Sequence, residues 1–169
     1  MTSFQEIYAA AAERNGGEAA LKAKLPKVKS DRALKGIADD RYLSFMSLRV
    51  FSAGLKHSMV RDKWPAFEEV FHGFEPHRVR SMPDEALEVL MGEKRIIRHW
   101  GKIKSVRANA ASMCDIIDEA GSMGAWLTAW KPEQTVELWD QLSKRFTQLG
   151  GNSGPYFLRM VGKDTFNLT

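Results

Sequence analysis

The sequence predicts an all-α fold, and three observations carry that prediction. No stretch of five or more residues alternates cleanly between apolar and polar, and no Asn-Gly hairpin is flanked by such stretches. Apolar residues recur instead at three- and four-residue spacing along most of the chain. Helix start and stop signals, such as Ser-Met-Pro-Asp-Glu, Pro-Glu-Gln and isolated glycines, fall between the periodic stretches.

The elements follow in order. Residues 22–36, with five lysines, one arginine and Pro26, read as a solvated connector. Asp39 or Asp40 can cap a helix whose apolar line is Tyr42, Phe45, Met46, Val50 and Ala53. Ser58 can cap a second with Val60, Trp64, Phe67 and Phe71 on one face, where Pro65 marks a break or a late start. Ser81 serves as N-cap of a third, with Asp84 and Glu85 in its first turn and Ala86, Leu87, Leu90 and Met91 inward. A longer helix carries Ile96, Trp100, Ile103, Ala110, Met113 and Ile117 and ends at Gly121. Pro132-Glu133-Gln134 opens the next, with Val136, Trp139, Leu142, Phe146 and Leu149 inward. A glycine-rich turn at 150–155 leads into a short helix from Tyr156 to Val161, giving about seven helices in all.

A chain of 169 residues with a hydrophobic fraction of 44% is long enough to close one core, so a single domain over 1–169 is expected. No apolar run approaches the roughly 20 residues that cross a bilayer. The N-terminal alanine run lacks the basic start and apolar core of a secretion signal. Cys114 is the only cysteine; between Ala110 and Ile117 it reads as a core residue, which fits a reducing, cytoplasmic location. The net charge of +4 permits a polyanionic partner without requiring one. Its distribution says more, because Arg95, Arg98, Lys102, Lys104 and Arg107 lie within thirteen residues that contain no acid. The ending, Lys163 to Thr169, reads like the approach to a further element, so a C-terminal continuation is expected.

The turn at 150–155 can present backbone N–H groups at a helix N-terminus to a phosphate, with glycines permitting close approach; it can equally be a plain connection. It is not a nucleotide P-loop, since no Lys-Ser/Thr follows the last glycine. Arg49 falls on an otherwise apolar face, four residues after Phe45. A guanidinium there needs an ion-pair partner, a path to solvent or a ligand. The histidines His57, His72, His77 and His99 show no metal-ligand spacing to one another or to Cys114, and no CxxC exists, so no metal and no cofactor are expected. Nothing resembles a nucleophile elbow. The five tryptophans suit core positions, though one can stack on a flipped base.

From about Asp40 to Asn109 the sequence resembles the bacterial 3-methyladenine DNA glycosylase I family. Ala53-Gly54-Leu55, Lys63-Trp64-Pro65 with Phe67, Phe71-His72-Gly73-Phe74-Glu75-Pro76, Arg95-Ile96-Ile97-Arg98-His99, Gly101-Lys102-Ile103 and Ala108-Asn109-Ala110 carry the resemblance together. Leu149 to Pro155 is similar to the hairpin of the wider helix-hairpin-helix glycosylase superfamily. The resemblance implies a helix-hairpin-helix, glycosylase-like bundle that holds double-stranded DNA and flips a damaged base into a pocket. It also implies hydrolysis of the N-glycosidic bond of an alkylated purine. The family's pocket glutamate falls on Arg49 here and its stacking tryptophan on His57, while of its N-terminal pattern only Tyr8 has a counterpart. The zinc ligands of the family have none.

A guanidinium donates hydrogen bonds but cannot accept them, and it repels a cationic lesion, so the resemblance predicts a glycosylase of altered lesion specificity. A non-catalytic DNA-binding or lesion-sensing module of the same fold is the alternative, and a helical protein-interaction domain a third. Tyr8, Arg49, His57 and Trp64 are expected to form the base pocket, with Arg49 and His57 facing one cleft. Gly54, Leu55, Arg98, Lys102, Gly150, Gly151 and Gly154 are expected to contact DNA, Leu55 by filling the gap left by the flipped nucleotide. Asp164 is the candidate catalytic group, by position after the hairpin helix. The expected assembly is a monomer with no membrane partner.

Overall fold

The computed structural model describes residues 2–165. Among them twelve α-helices are joined by loops and 3-10 turns, with no strand. They are α1 (Phe4–Arg14), α2 (Glu18–Lys24), α3 (Asp31–Lys35), α4 (Asp39–Ser52), α5 (His57–Asp62), α6 (Trp64–Val70), α7 (Pro76–Arg80), α8 (Asp84–Val89), α9 (Trp100–Ala120), α10 (Met123–Ala129), α11 (Thr135–Arg145) and α12 (Ser153–Val161). None of the described helices is long and apolar enough to cross a membrane.

Helices α4 and α9 form the centre. Tyr42, Leu43, Met46, Val50 and Phe51 of α4, and Ile103, Val106, Ala110, Met113 and Ile116 of α9, are buried. The helical period puts each set on one stripe, and burying each large side chain contributes about 1.5–3 kcal/mol. Helix α4 packs against α9, α12 and α5, and α9 against α7 and α10. Beside α4, Phe51, Trp64, Phe67, Phe71 and Phe74 form a run of ring contacts, with Trp64 stacked on Phe74 at 5.3 Å between centroids. Glu68 closes the polar edge of this run: Arg41 donates to both its oxygens at 2.8 and 2.9 Å, and Ser44 to one at 2.6 Å.

Several expected boundaries are corrected. The 22–36 connector includes the end of α2 and all of α3, and α1 begins in a capping box of Ser3 and Glu6. Neither α1 nor α2 has a buried residue, so the apolar stripe on which helix reading depends is missing there. Ala38, not an aspartate, is the N-cap of α4; Asp39 instead accepts the Met123 N–H at 2.8 Å, at the start of α10. Ser58 lies inside α5, whose N-cap is Lys56, and the Pro65 break is real, with α6 starting at Trp64. Ser81 terminates α7, its hydroxyl donating to the His77 carbonyl, and Pro83 is the N-cap of α8. Ile96 precedes α9, which starts at Trp100 with His99 as its cap and ends at Gly121 with φ 88°. Val136 is exposed, and Leu138 takes the inward place on α11.

Candidate functional site

Helix α4 ends at Ser52, and the chain turns through Ala53, Gly54 and Leu55 before entering α5. Gly54 holds φ 77°, a left-handed conformation that glycine adopts without cost. The Lys102 ammonium donates to the carbonyls of Phe51 at 3.3 Å and Ala53 at 2.9 Å. It places a cation on the negative end of α4 and ties the turn to α9. Leu55 at the turn is 38% exposed.

The segment between α11 and α12 forms the hairpin. Phe146 and Leu149 are buried, while Gln148 and Gly151 hold φ 69° and 55°. The buried Asn109 side chain clamps the segment, donating to the Thr147 carbonyl at 3.0 Å and accepting the Thr147 N–H at 2.7 Å. The N–H groups of Gly151 and Asn152 bond no described backbone oxygen, and they sit at the exposed N-terminus of α12. That is the geometry in which backbone donors and the helix dipole hold a phosphate. Gly154 is buried, and a Cβ there would lie 3.2 Å from the Leu149 carbonyl oxygen and 3.6 Å from Leu142. Its lack of a side chain lets α12 pack on α11 and so shapes the hairpin. Gly150 is exposed, and its carbonyl accepts the Ser153 N–H at 3.1 Å.

The turn after α4 and the hairpin helix converge on a cleft of about 280 Å³. Leu48, Arg49 and Ser52 of α4 line it, with His57 and Arg61 of α5 and Tyr156, Arg159 and Met160 of α12. The Arg49 guanidinium lies over the Tyr156 ring, its carbon 4.7 Å from the centroid. Its buried Nε has no hydrogen-bond partner among the described residues. Burial pushes the Arg49 pKa down, and Tyr156 partly opposes the shift. Burial lowers Lys102 as well, and the charge of Arg49 adds to the effect. No carboxylate lines the cleft, and none of its arginines is paired with an acid among the described residues. Arg41, Arg95, Arg107 and Arg145, by contrast, each pair with a carboxylate elsewhere. The cleft can therefore donate hydrogen bonds and hold negative charge, between apolar walls from Leu48, Met160 and Tyr156.

Arg49 and His57 thus line one cleft. Two other expected pocket residues do not. The Tyr8 hydroxyl donates to Glu18 at 3.1 Å, and Tyr8 is not a lining residue. Trp64 stacks in the aromatic run and donates to the Ser44 hydroxyl at 3.0 Å, which makes it a packing residue. Asp164 is exposed and lines two other cavities, with residues 25–31, so it is not placed to act in the Arg49 cleft. Lys102 is engaged by the backbone carbonyls of Phe51 and Ala53. Arg98 is exposed just before α9, but Arg95 and Arg107 are held by Glu69, Glu93 and Asp84, which reduces the free charge of the basic stretch. Arg61, Tyr156, Arg159 and Met160 were missed. Spacing held the signal: Arg61 is one helical turn from His57, and Tyr156, Arg159 and Met160 share one face of α12. Cys114 is buried with its Sγ 3.6 Å from His77 Nδ1, and no cluster of three metal-ligating side chains exists among the described residues.

A helical bundle with this hairpin beside a small cleft defines the helix-hairpin-helix class. The sequence pattern of the methyladenine glycosylase family matches residues 34–149, and the chain belongs to that family. Over 58 residues it is 40% identical to DNA-3-methyladenine glycosylase 1 of Escherichia coli (strain K12), a match that covers 34% of this chain and 31% of that enzyme. The chain thus matches about a third of the length of that relative. A crystal structure of 3-methyladenine DNA glycosylase I aligns with a TM-score of 0.69 and 22% identity, over 83% of this chain and 84% of the other. The Staphylococcus aureus 3-methyladenine DNA glycosylase I, solved to explain its recognition of 3-methyladenine, aligns with a TM-score of 0.66 and 22% identity, over 74% and 77%. These structures share the fold.

Proposed function

We propose that the protein is a base-excision DNA glycosylase that flips a damaged purine out of duplex DNA and hydrolyses its N-glycosidic bond, with a lesion specificity different from that for a cationic alkylated adenine. The observation that carries this reading is the position of the cleft. Its walls are the end of α4, the start of α5 and the face of α12, the same three elements that present the Gly54-Leu55 turn and the hairpin. The hairpin N–H groups hold the phosphate backbone, Leu55 fills the space of the extruded nucleotide, and the base enters the cleft. Arg49, Arg61 and Arg159 repel a cationic base and offer no acceptor to an exocyclic amino group. The protein acts as a cytoplasmic monomer on double-stranded DNA in this reading.

One observation favours a second reading, a lesion-binding module without catalysis. N-glycoside hydrolysis passes through an oxocarbenium-like state, and no carboxylate lines the cleft to stabilise it. Single-turnover reactions on duplexes with defined purine lesions, followed by alkaline cleavage of abasic sites, separate the two. Strand breaks at a lesion establish the glycosylase. Tight, lesion-selective binding with no abasic product over long incubation establishes the module.

A further inference from the structure

The donor set of the cleft points to a particular base. Of the lining residues, Arg49, Arg61 and Arg159 carry donor-only groups, and none carries an acceptor-only carboxylate. Arg49 has an unpartnered buried Nε, and its guanidinium carbon lies 4.7 Å from the centroid of the Tyr156 ring. A guanidinium held in place by a ring, with its N–H edge unused, matches a ligand edge made of two adjacent acceptors. Among purines, that edge belongs to the 6-oxo bases, whose O6 and N7 both accept; a 6-amino base puts a donor where O6 would be. Leu48, Met160 and the Tyr156 ring supply flat apolar walls that suit a heterocycle and give nothing to a hydrated phosphate.

We infer that the Arg49 cleft takes an uncharged 6-oxopurine, with Arg49 bonded to O6 and N7 of the flipped base. The inference rests on the glycosylase reading for its chemistry. A cationic alkylated purine leaves as a neutral molecule, whereas an uncharged one leaves with the electron pair of the broken C1′–N9 bond and becomes an anion. Donors at O6 and N7 stabilise the charge that develops there, so the arginine that excludes the cationic lesion assists the neutral one. Water supplies the oxygen that bonds to C1′, and the proton it releases ends on the departed base. The products are the neutral oxopurine and an abasic site.

Two measurements test this on the full chain. The first is binding of free hypoxanthine, adenine and inorganic phosphate, followed by chemical-shift changes of Tyr156 and His57 resonances. Hypoxanthine should bind at least about 10-fold tighter than adenine, as one bidentate arginine contact provides. That preference should vanish in Arg49→Gln and persist in Arg14→Gln, at an exposed position on α1. The second is base release from duplexes carrying a single deoxyinosine or N3-methylated adenine. Deoxyinosine should be the better substrate, and Arg49→Gln should slow its release at least about 10-fold. Equal binding of hypoxanthine and adenine, hypoxanthine binding indifferent to Arg49→Gln, or occupancy by phosphate but by neither base overturns the inference. Release of 3-methyladenine without hypoxanthine binding overturns it and leaves the glycosylase reading intact. Selective hypoxanthine binding with no base release from any duplex supports the assigned base and overturns the glycosylase reading.

Discussion

Removing the Asn109 side chain should loosen the hairpin without altering a single charge, which lets preorganisation be measured apart from electrostatics. Asn109 is 1% exposed and makes two hydrogen bonds to one residue, at 3.0 and 2.7 Å to the Thr147 carbonyl and N–H. Two bonds of about 1 kcal/mol net each set a floor near 2 kcal/mol for Asn109→Ala. The small cavity it leaves and incomplete hydration of the freed Thr147 groups raise the total to about 2–4 kcal/mol. Urea unfolding should show this loss as a lower midpoint at unchanged slope. Duplex binding of the variant, measured well below its unfolding midpoint, should weaken several-fold. The slope of log affinity against log salt should stay as in the wild type, because the number of neutralised phosphates is the same. A stability loss under about 0.5 kcal/mol would refute the assigned clamp. Unchanged affinity in a clearly destabilised variant would show that the hairpin is not where DNA is held.

Glu68 offers a pH-dependent test. Burial alone would raise its pKa, but hydrogen bonds from Arg41 and Ser44 together with the charge of Arg41 outweigh burial and hold it below the ordinary carboxylate value. A lowered carboxylate stabilises above the unfolded-state pKa of about 4.3 and stops doing so as pH falls through the folded value. Glu68→Gln should therefore cost about 1–2 kcal/mol at pH 7 and progressively less below about pH 4, read from thermal melts across that range. Gly124→Ala should destabilise by about 2 kcal/mol in the same assay, because the new Cβ would lie 2.6 Å from the Leu34 carbonyl oxygen and force α10 off α3. Leu55→Ala removes an exposed side chain, so stability should hardly change, while binding to a lesion-containing duplex should fall more than binding to intact duplex. Equal losses on both duplexes would rule out Leu55 as the filler of the vacated stack.

The sequence disclosed what depends on periodicity and local turn chemistry. Stripes such as Tyr42-Met46-Val50 and Ile103-Ala110-Met113 settle both the α class and the two central helices. Glycine at 121 and proline at 65 mark real boundaries. Caps were misassigned where a polar side chain serves another element: Asp39 bonds the first N–H of α10, some 84 residues away, and no local rule reports such a bond. The cleft was half legible. Arg49 and His57 stood out because each departs from a family pattern, whereas Arg61 and Arg159 conform to ordinary exposed-helix composition and reveal themselves only when α5 and α12 meet. Trp64 is not a lining residue for a different reason: it belongs to a motif that carries the resemblance, but its ring packs in the aromatic run and its N–H donates to the Ser44 hydroxyl.

An arginine at position 49 is compatible with this scaffold for a reason found in α4 itself. Position 49 lies in the last turn of the helix, where the backbone dipole favours a cation over a carboxylate by about 0.3–1 kcal/mol, and the Tyr156 face adds about 0.5–2 kcal/mol for a guanidinium. Against these stand burial and repulsion from Lys102, both of which the lowered pKa values record. Arg61 and Arg159 line the same space without acids to offset them. The favourable terms keep Arg49 in place but leave its buried Nε without a partner among the described residues. A group that is fixed, charged and unsatisfied in the free protein gains most when a ligand supplies the missing acceptors. In the proposed function, the free energy withheld from folding at Arg49 would be available for selecting the ligand, by the sign of charge and the direction of hydrogen bonding more than by shape.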